Sequence, residues 1–390
     1  MKPVPYYVLA LAMGIPAMLV GVEIPSWLFL GSQTMALQSD LRVPYTAGYM
    51  LRSGQARDIY NFPVVRRNQD ERVARDGGAV PFLHPAYEVL AFVPLSFLPY
   101  RAAYLVWAGI NFAVLGLTYF SLRPCLAGLS AVGPDWIPPA LLLGFMPVAF
   151  TILAGQDSLL LLLILVLTYR RIGSNELQAG MLFALGMFRF QVLLPIVILF
   201  LVWRSFRFVA GWALGSAAVL SISVAITGLN AQVQHARLLQ QMANVSIWLL
   251  LRRMPNLRGL FAALDFGMVP LVLVSLCVLL AAAAVGARCK APQRLLLAIS
   301  VSALATYYLF LHDLSVLALP LLVTLSDRLS RRDWPLAALA SAALSGFAVL
   351  WFASDRFYLG ALLTSLFFCT QLVGLWKQSG NTAVLPECDS

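Results

Sequence analysis

Charge is what this sequence has least of. Of its 390 residues only 11% are Asp, Glu, Lys or Arg, while 61% are apolar; an average soluble domain carries roughly 25% and 45–50%. Seventeen acids and 27 bases are too few to coat a water-soluble globule of this size, so a soluble fold is excluded. Cysteine is sparse as well, and Cys125, Cys277, Cys289, Cys369 and Cys388 are scattered, with no metal-ligand spacing. There is no G-x-x-x-x-G-K-[ST] phosphate loop and no G-x-G-x-x-G following a strand, which leaves no soluble unit where a nucleotide would sit. Repeats of fixed period and low-complexity tracts are also missing.

What is present is a succession of long apolar runs. Stretches such as Leu159–Leu167 are apolar on every side, whereas a membrane β-strand alternates apolar and polar over about 10 residues. The fold class expected is an all-α polytopic membrane protein of about 10–13 transmembrane helices. Spans are expected near 5–30, 101–122, 136–154, 157–169, 177–188, 191–203, 208–228, 264–287, 295–311, 314–326, 334–353 and 358–376. Four of these are too short to cross as straight helices, so broken or re-entrant segments are expected, with residues 85–99 a further case.

Net charge is +10, and in a membrane protein such a balance reports orientation before nucleic acid. With the N-terminus inside, the short connections holding Arg123, Arg170-Arg171, Arg204 and Arg207, Arg288 to Arg294, and Arg328 to Arg332 all fall on the cytoplasmic side, as does Lys377. The chain then reads as one membrane domain, 1–376, with a first external loop at 32–85 carrying interfacial helices, a second at 229–263, and a polar cytoplasmic tail at 377–390.

Sorted by side, the unusual polar residues gather on the external face: Asp40, His84, Gln156-Asp157, Arg189 with Gln191, Asn256 with Arg258, and His312-Asp313. A charge within a bilayer is expensive and marks a pathway or a site by default. A carboxylate, two histidines and separated arginines suit transfer from a phosphate leaving group, in which Asp or His takes a proton and Arg offsets the departing charge. Each has an alternative. Asp40 also reads as a helix cap, His312-Asp313 as an interfacial anchor, and Arg189 as a partner of Asp157 or Asp313 in an internal ion pair. Glu23 and Glu88 are accessory positions at the external interface, and the run Arg66-Arg67, Arg72, Arg75 is solvated surface.

The order and spacing of several short motifs resemble the polyprenyl-phosphate-mannose-dependent mannosyltransferases of glycosyltransferase family 87. They are Asp40 to Tyr45 with Thr46-Ala47-Gly48, Gly54, Asp58-Ile59-Tyr60, Phe82-Leu83-His84-Pro85, Ala91 to Pro99, Gly155 to Ser158, Arg189-Phe190-Gln191, Asn256 to Gly259 and His312-Asp313-Leu314. The resemblance runs from about residue 38 to 326, and His84 and Phe190 depart from it, standing where Tyr and Pro are usual. It implies a GT-C-type fold and an inverting transfer of a sugar, mannose first, from a lipid-linked donor to a lipid or glycan acceptor. It further implies a bacterial cytoplasmic membrane with the site facing the periplasm. Asp40 takes the place of the general base, His312 joins it in catalysis, and Arg189, Arg258, Asn256, Gln156, His84, Tyr45, Gln191 and Asp313 bind substrate. No metal or other cofactor is expected, because no second acid accompanies Asp40; partners are the donor, the acceptor and membrane lipids, with no nucleic acid. The alternative from another class is a transporter or lipid flippase for a glycolipid or anionic solute, which requires related halves that the sequence does not show.

Overall fold

The computed structural model describes residues 5–380 apart from 7–9, 11–14, 76–77, 133, 245–250 and 351–355; the last part of the expected tail, 381–390, lies outside the described residues. Among those described there are helices and turns but no strand. In chain order the helices are α1 (Ile15–Leu28), α2 (Gln33–Gln38), α3 (Arg42–Arg52), α4 (Phe62–Arg72), α5 (Tyr100–Leu122), α6 (Ala127–Ser130), α7 (Ile137–Leu143), α8 (Met146–Ala154), α9 (Ser158–Ile172) and α10 (Glu176–Phe183). They continue with α11 (Phe190–Val202), α12 (Phe206–Thr227), α13 (Leu229–Asn244), α14 (Leu257–Ala263), α15 (Met268–Gly286), α16 (Ala291–Ala305), α17 (Ala318–Ser330), α18 (Trp334–Val349) and α19 (Gly360–Gly380).

Five stretches are long and apolar enough to cross a membrane by length and composition, six if the pair α7 and α8, bent by 54°, counts as one span. One of the five, 176–202, turns back on itself at Arg189. Gly173, just before α10, lies 3.5 Å from the Pro292 side chain when given a Cβ, and Ser205, just after α11, bonds Arg294 at 3.2 Å, so both feet of the hairpin stand at one end of the bundle. Its first arm packs closely on α12. A Cβ at Gly180 would meet the Phe208 carbonyl oxygen at 2.1 Å, and one at Gly211 the Leu177 oxygen at 2.0 Å, so only glycine permits this approach of the two backbones.

The connections rich in arginine meet at that same end. Arg170 donates to the Ser121 carbonyl at 2.9 Å, the Arg288 guanidinium lies 4.7 Å from the centre of the Trp376 ring, and Gln378 bonds Asp327 at 3.0 Å. α9 and α17 both end there and begin at the opposite end, next to Asp157 and Asp313. The charge pattern of the sequence therefore corresponds to a real division of the bundle into two ends.

The first long loop is folded. α3 and α4 share an apolar cluster with Ile59, Tyr60, Phe82 and Val89, and α13 of the second loop adds Ala231 and Leu238 to it. A further cluster joins Leu41 and Tyr45 to Phe92, Tyr104 and Trp107. Residues 85–99 form two short 3-10 segments, Ala86–Ala91 and Pro94–Phe97, rather than a span. They pass directly under α3, where a Cβ at Gly48 would lie 2.7 Å from the Phe92 oxygen.

Candidate active site

Helix ends place the polar residues. α8 stops at Gly155, which adopts a left-handed φ of 66°, a conformation open to glycine at little cost. The stop ejects Gln156 and Asp157 before α9 begins. It also brings the first loop into contact, since Asp40 donates its backbone N–H to the Ala154 oxygen at 2.8 Å and a Cβ at Gly155 would meet Leu41 at 3.1 Å. Trp107 fixes the turn by donating to the Gly155 oxygen at 3.1 Å. The Asp40 side chain caps no helix; it is exposed and accepts from Gln156 Nε2 at 2.7 Å.

Arg189 ends the 3-10 segment Ala184–Arg189 and is 6% exposed. Its Nε donates to Asp157 Oδ1 at 3.1 Å, its Nη2 donates to the same oxygen and to Gln156 Oε1, and Asp313 Oδ1 lies 3.6 Å from Nε. Asp313 is fully buried and accepts from Ser158 at 3.2 Å and from the Phe310 N–H at 3.0 Å. His312 Nε2 is 3.5 Å from Asp313. On the other side of Asp157, His84 Nδ1 lies 3.6 Å from Oδ2 and 2.6 Å from Glu88 Oε2. The result is one continuous network from Asp40 through Gln156 and Arg189 to Asp157, Asp313, His312, His84 and Glu88.

Neighbouring groups hold this network in shape. Tyr87 donates to the Leu185 oxygen at 2.8 Å and accepts from the Phe188 N–H at 2.9 Å, pinning the segment that carries Arg189. Tyr60 donates to the His84 oxygen at 2.9 Å and stacks on His235 at 4.3 Å; His235 Nε2 in turn lies 2.8 Å from the Leu83 oxygen. The electrostatics follow from burial. Desolvation, then the Asp157 charge, push the Glu88 carboxyl well above the usual carboxylate range. Desolvation also acts to raise Asp157, but the Arg189 cation outweighs it, with the Glu88 hydrogen bond, and keeps that carboxyl below its ordinary value. Burial and then Arg189 lower His84, favouring the neutral imidazole.

Of the ten residues singled out by sequence, Asp40, Gln156, Arg189, Asp313, His312 and His84 converge in the network. Four stand elsewhere. Tyr45 is buried and donates to the Leu98 oxygen at 2.9 Å, with its ring against Tyr100. Asn256 is fully buried as the cap of α14, accepting from the Gly259 N–H at 3.0 Å and donating to the Thr306 oxygen at 2.8 Å. Through its carbonyl, Gln191 receives Thr306 Oγ1 at 2.6 Å. Arg258 lies over the Tyr307 ring at 3.6 Å and bonds that residue's oxygen and hydroxyl at 2.9 Å each.

Two participants were missed as site residues. Glu88 is in contact with His84 four residues earlier, a helical spacing visible in sequence. Tyr308, in the turn after α16, had no sequence signal. Burial raises its phenol, and Asp313, Arg189, Arg258 and Asp40 are near enough for their charges to act on it.

Comparison with known families decides the class: the profile described as glycosyltransferase family 87 matches residues 82–320, more than half of the chain. The chain belongs to glycosyltransferase family 87. It is an all-α integral membrane glycosyltransferase, and the matched segment includes every member of the network except Asp40. No curated protein and no solved structure matches this family 87 chain.

Proposed function

We propose that this family 87 protein transfers a hexose, mannose by the motif resemblance, from a polyprenyl-phosphate-linked donor to a hydroxyl of a lipid or glycan acceptor. The acceptor belongs to the cell envelope, and the reaction takes place on the periplasmic face of the cytoplasmic membrane. The observation that carries this reading is the setting of Asp40. It is the exposed carboxylate at the end of a buried network, with one oxygen, Oδ2, held by Gln156 at 2.7 Å and the other left to accept a proton.

Asp40 removes the acceptor hydroxyl proton as that oxygen forms its bond to the anomeric carbon. The bond from that carbon to the phosphate oxygen breaks, the electron pair leaves with polyprenyl phosphate, and a single displacement inverts the centre. Arg189 is committed to Asp157, so its part is to orient Gln156. Arg258, partly exposed over the Tyr307 ring, is the cation assigned to the leaving phosphate. His312 lies within the same set and contacts substrate from the Asp313 side.

The test is transfer in reconstituted lipid with a labelled polyprenyl-phosphate-mannose donor and a panel of acceptors. Wild-type protein is expected to form an inverted product, and Asp40→Asn to lose about 10²–10⁴-fold in rate. Undiminished transfer by Asp40→Asn would remove the base assignment.

A further inference from the structure

The buried part of the network crowds three carboxyl groups around a single guanidinium and two histidines. Glu88, Asp157 and Asp313 are 6%, 3% and 0% exposed; Asp157 and Asp313 pair with the guanidinium of Arg189, and Glu88 is bonded to His84. Buried carboxyl groups of this density need a proton or a second cation. Three donors within it face one another: His84 Nδ1, a Glu88 oxygen and an Asp157 oxygen all lie within 4.8 Å of each other. Donors around one ion, each about 2.0–2.2 Å from it, are separated by about 3–4 Å.

We propose that His84, Glu88 and Asp157 form a binding site for one divalent cation, of the kind that accepts one imidazole and two carboxylates, such as Mn2+. Two observations independent of the clustering point the same way. Glu88 Oε1 is buried and has no hydrogen-bond partner, although the other oxygen of the group is bonded to His84. The two oxygens of Asp157 are also divided: Arg189 takes Oδ1 at 3.1 Å through Nε, while Oδ2 is the oxygen turned to His84 at 3.6 Å. A carboxylate held by a cationic donor on one oxygen and presenting the other is the outer-shell arrangement that orients a metal ligand. The backbone on either side of His84 is already fixed by Tyr60 and His235, so little ordering remains for binding to accomplish.

This site lies apart from Asp40, which bonds only Gln156 within the network; the proposal rests on these three side chains and not on the sugar-transfer reading. The sequence expectation of no metal had looked for a second acid beside Asp40, whereas the paired acids are Glu88 and Asp157.

Mn2+ titration of chelator-dialysed full-length protein, followed by loss of the free-ion electron paramagnetic resonance signal, tests the site without any need for turnover. Wild type is expected to take up one ion per chain, and His84→Ala and Glu88→Gln each to weaken uptake at least tenfold, with Asp40→Asn binding like wild type. The Glu88→Gln change keeps the size of the side chain and all of the Arg189 contacts, so its thermal unfolding in the absence of metal checks that the fold is retained. No uptake by wild type, or uptake that both substitutions leave unchanged, would overturn the proposal.

Discussion

The two ends of the bundle solve the problem of buried charge in opposite ways. At the end holding Asp40, two buried carboxylates, Asp157 and Asp313, share one guanidinium, and a third buried carboxyl, Glu88, is bonded to His84. At the other end two guanidinia share one carboxylate: Asp327 receives Arg331 at 2.7 Å, Arg328 at 3.2 Å and Gln378 at 3.0 Å. The partners there are local, one or four residues apart, with Gln378 reaching across from α19. Arg328 is seated where a Cβ on Gly374 would come within 2.7 Å of its guanidinium. The network around Arg189 is instead assembled from five separate segments of the chain, from Asp40 to Asp313. An arginine-rich end anchored by local pairs needs little beyond orientation and packing to explain it. Joining carboxyls across nearly the whole sequence at a desolvation cost is what a chemical site requires.

That contrast predicts different costs for removing each arginine. Arg189→Met should destabilise the protein by about 3–5 kcal/mol, because Asp157 and Asp313 lose the guanidinium they share in a dry setting. Arg328→Met should cost about 1–3 kcal/mol, since Asp327 keeps Arg331 and Gln378. Thermal unfolding of both variants in the same detergent measures the gap, and equal losses would erase the distinction between the two ends. Gln156→Leu probes orientation rather than charge. Transfer should fall about 10–100-fold as Asp40 loses its guide, with a smaller change in melting temperature than Arg189→Met; a rate equal to wild type would detach Gln156 from Asp40's task.

Asn256 offers a finer comparison, because the sequence placed it among the binding residues and the structure makes it a helix cap. Asn256→Ala should lower stability by about 1–2 kcal/mol while leaving the affinity for donor unaltered, a split that equilibrium binding and unfolding measurements reveal together. The smallest effect belongs to the solvated loop. Arg66 and Asp70 are 68% and 33% exposed at 3.9 Å, and Arg66→Ala should shift stability by no more than about 0.5 kcal/mol, within the scatter of a melting curve.

Apolar runs and arginine placement made the helical class and the two ends legible in the sequence, because both depend on composition over a window. The hairpin turning at Arg189 was also visible, as two short spans about a charged residue. What remained hidden was the identity of each partner. Arg189 read first as a phosphate contact and second as an ion pair, and the approach of Asp157 from a different part of the chain makes it an ion-pair partner. Asn256 sits in the connection before α14, where a polar side chain has no distinguishing periodicity, and its capping role lies in its bonds to Gly259 and Thr306. The two 3-10 segments over 86–97 carry apolar residues like a re-entrant span, and it is their fit beneath Gly48 that holds them against α3. Glu88 was judged alone, and its weight comes from Asp157, which lies 69 residues further along the chain.

The amide of Gln156 has a consequence for proton traffic. A guanidinium only donates and a carboxylate only accepts, so with Arg189 on one side and Asp40 on the other the amide has a single permissible orientation. An amide passes on geometry but does not readily relay a proton. The exposed carboxylate is therefore insulated from the protonated and deprotonated groups buried behind it. In the transfer proposed above, a proton collected at Asp40 would leave towards water on the open side, with no relay through Gln156 to Glu88 and His84.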